Sequence, residues 1–173
     1  ATGTFPYLIA FDLDFPRVNL LGGSLDIQAD AIGSVIRMEA AITKGEEFPS
    51  TMQPRLFKES KVVRYVIGLD RPTFIPMLNK DRTFLISGQI FGQHLLDHEQ
   101  ADGPLGRIGM PDWKDNWIGT LLVKGWYQND RLSPQLLMAY DVRAQAGAVA
   151  PSVEWLVTDN LKLTFGANIK AGT

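Results

Sequence analysis

Apolar and polar residues alternate with a period of two in one segment after another, the mark of strands whose two faces meet different surroundings. In 34–43, Ile36, Met38, Ala40 and Ile42 share one parity, and Arg37, Glu39 and Thr43 the other. The segment 61–70 sets Val63, Tyr65, Ile67 and Leu69 against Arg64, Gly68 and Asp70. In 83–94, Phe84, Ile86 and Ile90 oppose Thr83, Ser87, Gln89 and Gln93, with Leu85 and Phe91 interrupting the polar parity. The segment 117–127 sets Trp117, Leu121, Val123 and Tyr127 against Thr120 and Lys124. Further on, Leu136, Met138, Tyr140 and Val142 alternate with Gln135, Asp141, Arg143 and Gln145, and Val149, Val153, Trp155 and Val157 with Ser152 and Glu154. Leu161, Leu163, Phe165, Ala167 and Ile169 then alternate with Lys162, Thr164, Asn168 and Lys170. With a weaker strand at 24–30, these segments predict roughly eight strands, many near the ~9 to 11 residues that cross a bilayer at a tilt.

The joints between segments are unequal. Ala31-Ile32-Gly33, Asn129-Asp130-Arg131 and Thr158-Asp159-Asn160 read as short turns, whereas 44–60 and 97–115 are long and polar. Short turns at one end and long loops at the other are the asymmetry of an outer-membrane barrel. Two joints depart from it: the one near Gly147 is tight on the long-loop side, and 71–82 predicts a helical turn tucked against or into the barrel.

Composition narrows the classes. At 173 residues the chain predicts one domain, 1–173, and a charge of −2 from 17 basic and 19 acidic residues offers no footprint for nucleic acid. The absence of cysteine excludes disulfides, thiolate metal sites and a cysteine nucleophile. No apolar run is long enough for a membrane-crossing helix, while a mean hydropathy of −0.03 is compatible with a barrel whose faces cancel. The start Ala1-Thr2-Gly3-Thr4 lacks a Met and a basic-then-apolar leader, so a signal peptide is expected to have been removed or the sequence to be an excerpt.

Alternation alone fits a soluble barrel with an apolar inside or a membrane barrel with an apolar outside. Three features favour the membrane version: aromatic residues near strand ends on the apolar parity, Gly88, Gly119 and Gly125 within strands, and alternation of spanning length. Trp117, Tyr127, Tyr140 and Trp155 are the candidates for aromatic girdles at headgroup level. Arg37, Glu39, Arg64, Gln89, Lys124, Asp141, Arg143 and Glu154 are the candidates for a polar, lumen-facing surface. There, charges either set a field for solutes or pair with one another.

The stretch Arg64-Tyr65-Val66-Ile67-Gly68-Leu69-Asp70-Arg71-Pro72, followed by Ser87-Gly88-Gln89-Ile90-Phe91 and Ser152-Val153-Glu154-Trp155, resembles the C-terminal part of a porin-like outer-membrane barrel family of Gram-negative bacteria, known chiefly as a domain of unknown function. The resemblance runs from about Gly22 to Lys170 and carries no catalytic signature. It implies an outer-membrane barrel associated with transport of apolar or lipid-like compounds. Members of that family are longer, and outer-membrane barrels usually close on a strand ending in Phe or Tyr, whereas this chain stops at Ala171-Gly172-Thr173. Both departures lead to the expectation of a portion of a larger barrel. The distinction matters, because about eight strands enclose a filled interior and about sixteen an aqueous channel.

Catalytic and metal chemistry find little footing. His94 and His98, near Asp97, Glu99 and Asp102, are the one metal-like group, but residues four apart in a strand lie about 13 Å from each other. Gly103-Pro104-Leu105-Gly106-Arg107-Ile108-Gly109 lacks the Gly-Lys-Ser/Thr ending of a phosphate cradle and reads as a loop tip. Ser87 and His94 have opposite parity, which keeps them off a common face. The expected protein is therefore a non-enzymatic, all-β, antiparallel up-and-down barrel of the bacterial outer membrane, without cofactor. It would contact outer-membrane lipid and pass or export small or lipid-like molecules, with envelope transport partners. The alternative is a soluble calycin-like barrel lined by Ile36, Met38, Tyr65, Ile67, Phe84, Leu163 and Phe165 around an apolar ligand. A third expectation is a structural barrel whose loops 44–60 and 97–115 dock a partner.

Overall fold

The alternating segments become the strands of one antiparallel sheet in a computed structural model of the chain, which describes residues 15–110 and 113–172. Strand β1 (Asn19–Ala29) turns through a single 3-10 turn into β2 (Ser34–Pro49), which pairs with β3 (Phe57–Thr73) and onward to β4 (Phe84–Leu95). A small hairpin, β5 (Gln100–Gly103) and β6 (Gly106–Gly109), interrupts the meander before β7 (Asp115–Lys124). It resumes through β8 (Leu132–Asp141), β9 (Ala146–Thr158), β10 (Leu161–Gly166) and β11 (Ile169–Gly172). Both β10 and β11 pair with β9, so the final alternating segment is one strand broken at 167–168.

Directly opposed residues in antiparallel strands share a face, so the register can be followed across the sheet. One row reads Ile36, Leu69, Gly88, Leu121, Met138, Val149 and Ile169, and the next Met38, Ile67, Ile90, Gly119, Tyr140, Gly147 and Ala171. The face is apolar through seven strands. On the other side lie Arg37, Arg64, Asp70, Ser87, Gln89, Thr120 and Glu154, together with Val66, Phe91, Ile118 and Leu137.

This sheet has almost no core. Val62, Phe84, Leu95 and Met110 are the buried hydrophobic residues among those described, and three of them sit at one end. There Val62, Leu95 and Met110 pack with Phe48 and Trp113, joining the β2–β3 hairpin to the long β4–β7 connection. Backbone bonds tie the same two elements, from Thr51 N to Gly109 O (3.1 Å) and from Leu96 N to Lys61 O (2.9 Å). The accessible surface is 13071 Å², about half as much again as the ~8,400 Å² of a compact protein of this mass. A single uncovered layer explains the excess.

Several expectations need correction. No closed barrel forms among the described residues: β1 and β10 each have one neighbour, and the sheet ends at them. Residues 44–60 are mostly strand, because β2 and β3 run past their neighbours as a projecting hairpin with a bulge at Gly45. The connection 97–115 contains the β5–β6 hairpin. Strand β7 stops at Lys124, which leaves Gly125 and Tyr127 outside it, although an isolated bridge joins Tyr127 to Leu132. The segment 71–82 gives its start to β3 and then forms a turn at the sheet's end. Asn79 Nδ2 donates there to Trp126 O (2.7 Å), and Tyr127 OH to Leu78 O (3.2 Å).

Candidate functional site

Two surfaces carry the chemistry. On the apolar face the aromatic residues fall at two levels. Tyr65 and Trp117 flank Gly92 in one cross-strand row, and Tyr140 stands in the next. At the other end are Phe84, Tyr127 and Trp155, with Phe84 and Tyr127 edge to face at 6.2 Å. Nine residues separate the levels inclusively, Phe84 to Gly92 on β4 and Gly147 to Trp155 on β9, matching the ~9 to 11 of a tilted bilayer crossing. Gly88, Gly119 and Gly147 floor a groove of about 1160 Å³ across the band between them.

Glycine at 92 is what admits Tyr65. A Cβ at this position would overlap the Tyr65 ring, which lies across the strand as a cover for the bare backbone. Tyr65 stacks on His94 (centroids 5.6 Å apart), His94 meets the edge of Trp117 at 5.3 Å, and Trp117 Nε1 donates to Tyr65 OH at 3.0 Å. His94 Nδ1 lies 2.6 Å from Asp115 Oδ1. The imidazole thus belongs to an aromatic cluster at the upper level, while His98 lies in the loop beyond β4. Among the described residues no group of three or more His, Asp or Glu side chains is arranged to hold a metal ion. Ser87 and His94 lie on opposite faces, as their parity requires.

The polar face gathers seven of the eight lumen candidates: Arg37, Glu39, Arg64, Gln89, Lys124, Asp141 and Glu154. Arg143 departs from the set, because β8 ends at Asp141 and Arg143 lies in the turn that follows. Asp141 builds this turn by accepting from the backbone N–H groups of Arg143 and Ala144, both at 2.9 Å. Most of the charges are paired. Arg37 pairs with Asp70, Lys124 with Glu154 at 3.2 Å, and Lys162 with the same Glu154 at 3.3 Å. Arg64 grips both carboxylate oxygens of Glu46, at 2.5 and 2.7 Å. Glu46 stands in the projecting hairpin, beyond the aromatic rows; Arg64's hydrogen bond holds its carboxyl below the usual carboxylate range, against the opposing effect of burial.

Glu46 is absent from the candidates read from the sequence, and Tyr65 stands among them only as lining of the alternative soluble barrel. Glu46 lies past the Gly45 bulge, which shifts the register and returns the carboxylate to the polar side. Tyr65 had the correct parity, and its position beside a strand glycine was the available signal.

Along β3 and most of β4 the coverage of the two faces is inverted relative to a soluble sheet, whereas on β2 Arg37 and Glu39 are exposed and Ile36 and Met38 half-buried. In the middle strand, Ser87 on the polar face is 7% exposed and Ile90 on the apolar face 55%. The Asp70 side chain is 15% exposed, against 47% for Ile67 on the same strand. No protein-family model matches the chain, and no curated protein or solved structure is significantly similar to it.

Proposed function

We propose that the sheet is part of the wall of an outer-membrane β-barrel, with its apolar face toward lipid and its polar face toward a lumen through which small or lipid-like molecules pass. Coverage along β3 and β4 carries this reading: Ile67, Leu69 and Ile90 on the apolar face are 47%, 41% and 55% exposed, whereas Ser87 and the Asp70 side chain on the polar face are 7% and 15% exposed. The two aromatic levels, a bilayer crossing apart, add to it. The activity is non-enzymatic, and the partners are outer-membrane lipid, the solute and envelope transport proteins.

A wall in lipid cannot end at a bare edge, because each unpaired N–H or C=O there costs several kcal/mol. The wall is therefore completed by strands beyond those described. The test is reconstitution into lipid vesicles followed by protease treatment and electrophoresis with and without heating. Co-flotation with lipid, protection of the strands and a heat-dependent mobility shift are expected. A chain that stays monodisperse in water without detergent and ignores vesicles would overturn the reading. It would favour the soluble, ligand-binding alternative, for which the apolar groove is the supporting observation.

A further inference from the structure

The polar face is not uniformly charged, and near its upper end it holds a hollow of about 580 Å³, within the range of small-molecule sites. Two neighbouring cross-strand rows build it. The upper row runs Gly22, Ala41, Arg64, Gln93, Asn116, and the lower Ser24, Glu39, Val66, Phe91, Ile118. Glycine, alanine and serine leave room at the β1–β2 end, and Val66, Phe91 and Ile118 form an apolar strip across the next three strands.

The charges in the hollow do not cancel. Arg64 is turned toward Glu46 and held there by two hydrogen bonds, with Thr43 Oγ1 a further 3.3 Å partner. Glu39 has no ion-pair partner among the described residues, whereas Asp70, Glu46 and Glu154 on the same face engage arginine or lysine. Asn116 closes the upper row of the hollow, its Oδ1 buried beneath the lining without a hydrogen-bond partner. An unbalanced carboxylate beside an apolar strip favours a donor-bearing cation with an apolar body. Two strand spacings separate Glu39 from Phe91, about 10 Å. Phe91 also offers a ring face to such a molecule.

We propose that this hollow is a solute-binding strip for organic cations, Glu39 holding the ammonium group and Val66, Phe91 and Ile118 the apolar body. The inference rests on the barrel reading only for its physiological meaning, since binding is measured on the folded protein directly. The experiment titrates protein in detergent micelles with 4-phenylbutylammonium and, in parallel, 4-phenylbutyrate, followed by saturation-transfer NMR. Saturable binding of the ammonium, weakened about tenfold by E39Q and severalfold by F91A, with no saturable binding of the carboxylate, is expected. Equal uptake of both probes, or binding indifferent to E39Q, would overturn the site. Far-ultraviolet circular dichroism of each variant separates lost binding from lost folding, and E39D, keeping the charge, should retain most of the affinity. A protein that inserts into vesicles but lacks Glu39-dependent binding loses the site and keeps the barrel; one that binds but never inserts does the reverse.

Discussion

Side-chain contacts at single positions separate places where the sheet is specified by the protein from places where lipid or water would do as well. Gly92 and Gly119 lie on neighbouring strands of the apolar face, yet a Cβ at 92 would strike the Tyr65 ring and one at 119 would meet nothing within 4 Å. Gly92→Ala should therefore cost about 1 to 3 kcal/mol by displacing Tyr65 from His94 and Trp117, while Gly119→Ala should be neutral or slightly stabilising. Thermal unfolding of both variants in one detergent checks the contrast. The Arg64–Glu46 pair makes a second residue-scale prediction, with a sign in pH. Because the folded carboxyl sits below its ordinary value of 4.5, the pair's contribution is complete above that value and is lost as pH falls through the lower, folded one. With side chains 42% and 20% exposed, solvent screening limits the pair to about 1 kcal/mol. Unfolding temperature should drop over that acid interval by more in the parent than in E46Q. Equal slopes would show that the pair contributes nothing.

At the scale of elements, the strands were legible because period two needs nothing beyond neighbours in sequence. Ile36 through Ile42, Val63 through Leu69 and Leu163 through Ile169 fall on the apolar face that their parity assigns. What escaped is what depends on distant partners. Gln100–Gly103 and Gly106–Gly109 pair as a hairpin too short for alternation to register, and its glycines read as a loop tip. Likewise, the extension of β2 and β3 beyond their neighbours follows from the cluster around Val62, Leu95 and Met110, whose members lie far apart in sequence. The candidate polar site was legible in its positions and illegible in its pairings, since Arg64 finds Glu46 only through the Gly45 bulge and Arg143 was misplaced by a strand that stops two residues earlier. The end cluster yields a prediction of its own. Leu95→Ala, at a fully buried site, should cost about 2 to 5 kcal/mol and open 50–56 and 96–110 to protease, whereas Ile90→Ala on the bare apolar face should cost much less. Similar losses at both positions would mean that the apolar face is packed against protein.

For the whole molecule, the unresolved physical demand is at the edges. Eight successive antiparallel strands, counting β10 and β11 as one, leave β1 and the last strand running in opposite directions, so they could in principle pair with each other and close a small barrel. Among the described residues they do not: β1 pairs with β2 alone, and β10 and β11 with β9 alone. An eight-stranded closure would have to fill its interior with side chains, whereas this polar face keeps a hollow of about 580 Å³ between Gly22 and Ile118. A wider wall satisfies both the edges and the hollow. The chain has no cysteine, which makes the distinction direct. Cysteines introduced at Ser24, Asp26 or Gln28 on β1, each combined with Thr164→Cys on β10, sample the staggers that an intramolecular closure would require, with all four positions on the polar face. In vesicles under mild oxidation these double variants should form no intrachain disulfide, because a bridge needs Cα atoms within about 7 Å. Efficient intrachain crosslinking at any stagger would mean that β1 and β10 meet, and the channel reading would give way to a small barrel with a filled interior.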